Sequence, residues 1–64
     1  MRYLVTAAAD FNGKTFQDMA QSEHRSFKAA LKKANQFWKD PRTGLVIFLD
    51  RETNVSTEWK KRKY

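Results

Sequence analysis

The sequence closes with TEWKKRKY, in which Lys60, Lys61, Arg62 and Lys63 stand between Trp59 and Tyr64. Adjacent cations of this kind neutralise phosphates or steer toward an acidic protein surface, and a flanking aromatic ring stacks on an unpaired base. A second basic set, Arg25, Lys28, Lys32, Lys33 and Lys39, lies in a stretch with no acidic residue between positions 25 and 39. Helical spacing gathers 25, 28, 32 and 39 into one broad stripe opposite the apolar positions. The stripe has two readings: a track for phosphates or an acidic partner, and an ordinary solvated face, since lysine is a good helix former. Both basic sets, with Tyr64, form the candidate binding residues.

Chemistry beyond charge is poorly served. The GKT at 13–15 matches the end of a phosphate-binding loop, but that motif needs glycine where the chain has Ala8, and a helix where a strand follows. His24 is the only histidine, and a general base or a metal site needs oriented partners that Glu23 and Arg25 do not supply. An exposed or capping role is expected for it. Asp50 and Glu52 share a turn without the further carboxylates that a cation site requires. There is no cysteine, so neither a disulfide nor a thiolate zinc site can hold the fold together, and a reducing compartment is compatible with that absence. The expectation is a non-enzymatic protein with no metal and no cofactor. In MRYLVTAAADF, Asp10 comes too early for a signal-peptide apolar region, and no stretch approaches a membrane span, so a cytoplasmic protein with no membrane partner is expected.

The elements that must position these residues follow from periodicity. Residues 2–11 alternate Tyr3, Val5, Ala7 and Ala9 against Arg2, Thr6 and Asp10, a half-buried strand, and Asn12-Gly13 suits a type I′ hairpin turn. A two-residue loop there sets Phe11 opposite Lys14, Ala9 opposite Phe16, Val5 opposite Ala20 and Arg2 opposite Glu23. It places Val5, Ala7, Ala9, Phe16 and Ala20 on one face, with Asp18 as a misfit among them. Residues 26–39, SFKAALKKANQFWK, form an amphipathic helix with Phe27, Ala30, Leu31, Ala34, Phe37 and Trp38 on its apolar side. Ser26 caps it, with Ser22 as the alternative, and Asp40-Pro41 ends it.

LVIFL at 45–49 reads as an interior strand, residues 50–54 as a polar turn and VSTEW as a last strand, giving the order ββαββ. A right-handed crossover sets the third strand parallel to the second and beside the first. The fold class is therefore α+β: a four-stranded antiparallel sheet of order 2-1-3-4, with one helix packed on one face. Phe27, Leu31, Ala34 and Phe37 are expected to pack on Val5, Ala7, Phe16 and the third strand. Residues 1–59 make a single domain and residues 60–64 a basic tail that frays after Trp59. Trp59 itself has two readings, a core residue beneath the helix or a stacking platform.

The other sheet face offers Leu4, Thr6, Ala8, Met19 and, depending on register, either Val46 and Phe48 or Leu45, Ile47 and Leu49. An apolar sheet face on so small a chain is expected to be covered by a second copy or by a partner, with Leu4, Met19 and Phe48 as the interface candidates. Thirteen Lys and Arg against seven Asp and Glu leave a formal charge of +6, which attracts polyanions without selecting one. Two functions follow. One is a protein-binding regulator or inhibitor that docks on an acidic partner surface; the other is a sequence-nonspecific nucleic-acid binder using the helix lysines and the tail. The first is favoured, because the helix bases are almost all lysine and no aromatic residues interleave with them as stacking platforms. Short basic chains of this style are frequent in phage and mobile-element genomes.

Overall fold

Period-two alternation from Tyr3 onward produces the first strand, β1 (Tyr3–Phe11), in the computed structural model, which describes residues 1–11 and 15–61, without the side chain of Phe11. It is followed by β2 (Thr15–His24), α1 (Phe27–Lys39), β3 (Thr43–Asp50) and β4 (Val55–Lys60). The strands form one antiparallel sheet in the order β2-β1-β3-β4, with the helix on one face. Ser26 caps the helix, its Oγ accepting from the Ala29 N–H at 3.3 Å. Ser22 lies within β2 instead. Asp40 closes the helix in an extended conformation, φ −68° and ψ 123°, as a residue before proline must.

The hairpin register differs from the expected one in two steps. Phe11 faces Thr15 rather than Lys14, and Met19 has no partner of its own, because Ala7 faces Ala20 whereas Ala8 faces Asp18. An extra residue in one strand is a β-bulge, and a slip of one position exchanges the two faces. Below the bulge, Phe16 therefore pairs with Asp10 and Ala9 with Gln17. Above it the two slips add, so Val5 pairs with Ser22, and Glu23 with Leu4 instead of Arg2. The slip at the hairpin end, not the bulge, removes the misfit, since Asp18 now pairs with Ala8 and shares its face, away from the helix. The proposed turn residues Asn12 and Gly13 lie outside the described residues.

A second bulge falls in β3, where Ala8 faces Leu45 but Ala9 faces Thr43. The extra residue is Gly44, and a Cβ there would sit 2.9 Å from Phe16 Cε1 and 3.2 Å from the Asp10 nitrogen. The close approach of these strands requires its missing side chain.

The core consists of Tyr3, Val5, Val46 and Phe48 from the sheet and Ala30 and Ala34 from the helix, with Phe37 packed at its margin. Two alanines one turn apart let the helix axis come close to the sheet. Phe27 and Leu31, expected in this core, are more than a third exposed, and Phe16 is not part of it. The reason is lateral placement: α1 packs over β1 and β3 and partly over β2, and its backbone stays clear of β4. Large side chains on its β4 flank therefore overhang an uncovered strand.

The register settles the opposite face as well. Leu4, Thr6 and Ala8 of β1 pair with Leu49, Ile47 and Leu45 of β3, so these six share the side away from the helix. Phe48 points the other way and is buried beneath α1, which removes it as an interface contact. Leu4 and Met19 remain on or beside this face, both half-buried. Across the sheet, Glu23 and Gln21 border the apolar stripe on β2, and Ser56, Glu58 and Lys60 border it on β4.

Candidate binding groove between the helix and the last strand

Neighbouring strands lie about 4.8 Å apart, so four of them present a surface roughly 19 Å wide, while a helix with its side chains is about 10 Å across. One helix covers about half of such a sheet. Here the uncovered half is β4, every residue of which is exposed. The result is a groove walled by α1 and floored by β3 and β4.

Most of the exposed large apolar side chains among the described residues gather in this groove. Phe27, Leu31 and Trp38 on the helix and Val55 and Trp59 on β4 are each between 37% and 60% exposed. Among the described residues, the remaining large apolar side chain so exposed is Met1. At one end, Leu31, Ala34, Asn35, Trp38, Val46 and Trp59 enclose a cleft of about 260 Å³. At the other, Phe27, Phe48, Val55 and Thr57 line a second depression. Ring contacts join the two ends: Tyr3, Phe27 and Phe48 form a triangle with centroids 5.6–5.9 Å apart, and Trp59 meets Phe48 edge to face at 6.3 Å. Trp59 is thus packed on the core on one side and open to the groove on the other, between the two roles its sequence position suggested.

The cations divide by type. The ion pairs seen among the described residues are all made by arginines: Arg2 with Asp50 and Glu52, Arg42 with Asp40, and Arg51 with Glu23. Hydrogen bonds from the Arg42 side chain, and then from its backbone N–H, hold the Asp40 carboxyl down at about 2. Arg51 likewise lowers Glu23, chiefly through its side-chain hydrogen bond. None of these ion pairs engages Lys28, Lys32 or Lys39. These three, with Leu31, Asn35 and Gln36, line a shallow trough along the outer flank of α1 that adjoins the groove at Leu31 and Asn35. Unneutralised positive charge therefore runs along one lip of the apolar groove.

The other candidate residues are dispersed. Lys33 is half-buried, its Nζ 5.0 Å from the centre of the Phe37 ring, and Arg25 precedes the helix cap. Lys60 is the last residue of β4 and pairs with Leu45, so it lies on the side away from the helix. Lys61, the last described residue, lies against the body of the domain. Lys61 N–H donates to the Gly44 carbonyl at 2.9 Å, its Nζ donates to the Asp40 carbonyl at 3.1 Å and lies 5.1 Å from the centre of the Trp38 ring. Arg62, Lys63 and Tyr64 lie outside the described residues.

His24 is half-buried on β2, with Nε2 2.7 Å from Ser22 Oγ, neither exposed nor capping the helix. No group of three His, Cys, Asp or Glu that could hold a metal occurs among the described residues. Nor is any helix there long and apolar enough to cross a membrane.

Reading the sequence by periodicity missed the groove, although a signal was present. The helix carries two apolar rows side by side, small Ala30 and Ala34, and large Phe27, Leu31 and Trp38. The small row packs closely and the large row is left beside it. Compared with family models, with curated proteins and with solved structures, the chain matches none.

Proposed function

We propose that this chain is a protein-binding module, without catalysis of its own, that regulates or inhibits a partner by taking an acidic, apolar surface segment into the groove between α1 and β4. The observation that carries this reading is the coincidence of the exposed large apolar side chains with a lysine lip that no carboxylate neutralises. Exposed apolar surface concentrated in one place marks an interaction site, and half-exposed tryptophans are frequent binding anchors. The lysines add steering toward an acidic partner and disfavour a basic one. A cytoplasmic setting is part of the proposal. Self-association through Leu4, Ile47 and Leu49 has weaker support, since all three are only half-exposed.

A second reading has one observation in its favour: Lys61 beside Trp38, across a cleft from Trp59, combines a cation with two indoles, as a binder of single-stranded nucleic acid does. Titrating the tryptophan emission at physiological salt separates the two. The expected result is a saturable change with an acidic leucine-containing peptide, abolished by Trp59→Ala, and weak response to oligothymidine. Submicromolar oligothymidine binding without a peptide response would make nucleic acid the target.

A further inference from the structure

The groove constrains the shape of its occupant as well as its charge. Building on the protein-binding reading, we infer that the docking segment of the partner is an amphipathic, acidic α-helix of about three turns, laid beside α1 over β4 so that two helices cover the sheet.

Backbone chemistry argues first for a helix. The cleft at the Trp38 end is lined by Leu31, Ala34, Trp38, Val46 and Trp59, with the Asn35 amide and the two indole N–H groups as its polar side-chain groups, too few to pair the backbone of a strand. An extended segment pressed onto that floor would bury N–H and C=O groups without partners, at a cost of about 1–3 kcal/mol for each. A helix satisfies those groups within itself and offers the floor only side chains.

Dimensions agree. α1 has 13 residues and β4 has 6, so at about 1.5 Å per helical residue and 3.3 Å per strand residue each is roughly 20 Å long. The uncovered width, about 10 Å, accepts one helix at the usual interaxial distance of 8–10 Å. Val55 and Trp59 mark the two depressions and, four strand residues apart, stand roughly 13 Å from each other. Anchors seven or eight residues apart on a helix span about 10–12 Å, which places one near each depression.

Charge assigns the flank. Lys28 and Lys32 are one turn apart on the lip, so carboxylates spaced i, i+4 on the side of the occupant that faces α1 meet both. A basic helix of the same apolar pattern would face like charge along its whole length.

The test uses the full chain, isotope-labelled, and three synthetic peptides of about 14 residues. One has leucines at helical spacing with glutamates on one flank; the second has the same composition in strict alternation; the third replaces the glutamates by lysines. The expected result is that the first binds saturably, gains helicity, moves the amide resonances of α1 and β4, and blue-shifts the tryptophan emission. Trp59→Ala, or Leu31→Glu should the former loosen β4, weakens it at least about tenfold. If the alternating peptide binds the same residues as tightly, the occupant is extended and the helix inference falls while the protein-binding reading stands. If no acidic peptide moves the groove resonances, both fall.

Discussion

Arg2 grips Asp50 through two parallel hydrogen bonds, Nε to Oδ1 at 3.0 Å and Nη2 to Oδ2 at 3.1 Å, tying the beginning of β1 to the end of β3. The same Asp50 Oδ1 accepts the Glu52 N–H at 3.0 Å, so one carboxylate both closes the sheet end and shapes the turn before β4. Arg51 performs a similar service across the sheet, reaching Glu23 at 2.6 Å and the Met1 carbonyl at 3.1 Å.

These pairs set the acid limb of stability. Hydrogen bonding from Arg2 holds Asp50 below the usual carboxylate range, and Arg42 holds Asp40 at about 2. With a folded-state pKa that is depressed, the unfolded chain takes up the proton first as pH falls. The contribution is therefore complete above the unfolded value of about 4 and is lost as pH drops through the folded value. Urea midpoints measured between pH 5 and about 2 should fall steeply in the parent and less steeply in Asp40→Asn and Asp50→Asn. Equal slopes in all three would show that these pairs do not survive in solution.

The hydroxyl of Thr43 is buried without a hydrogen-bond partner among the described residues. Its backbone N–H already donates to the Asp40 carbonyl at 3.0 Å, so only the side chain is left over. Thr43→Val keeps the shape and removes the unsatisfied oxygen. Thermal melts should show a gain of roughly 1 kcal/mol; a loss would reveal a partner for that hydroxyl.

Placement of α1 predicts an ordering of core substitutions. Val46 is fully buried, whereas Leu31 sits at the groove lip. Val46→Ala should cost about 2 kcal/mol and Leu31→Ala less than about 1, although the second deletes more side chain. Chemical denaturation of both variants decides the matter, and the reverse order would put Leu31 back in the core.

The tail separates the two functional readings. Deleting residues 62–64 leaves every described contact of Lys61 in place and removes two bases. If those bases hold phosphates, the slope of log K against log salt for an oligonucleotide should flatten by about 1.5–2 units. On the protein-binding reading, oligonucleotide affinity is weak before and after, and stability is unchanged.

Much of this architecture was legible because its signals are local. Alternation in β1, the Ser26 cap, the Asp40-Pro41 stop and the double-sided apolar run of β3 each act within a few residues, and crossover geometry then limits the sheet order. The register was not legible, because Met19 and Gly44 become extra residues only when neighbouring strands are in place. The groove escaped for the same reason. Whether Leu31 and Trp38 are core or rim depends on which strands the helix covers, and the helix settles where Ala30 and Ala34 let it come closest. The lysine lip was visible as spacing, but its freedom from carboxylates emerged only when Arg2, Arg42 and Arg51 proved to hold Asp50, Glu52, Asp40 and Glu23, and the strands put Asp18 and Glu58 on the face away from the helix.

The bulge at Met19 has a bearing on solubility. β2 is an outer strand of ten residues, bonded to β1 on one side only, and a straight edge of that length is a template on which further chains can stack into fibrils. The extra residue bends and twists the strand, dividing its outer edge into two short runs that a flat, in-register neighbour does not match. A chain lacking Met19 would be expected to seed cross-β aggregates at concentrations where the parent stays clear.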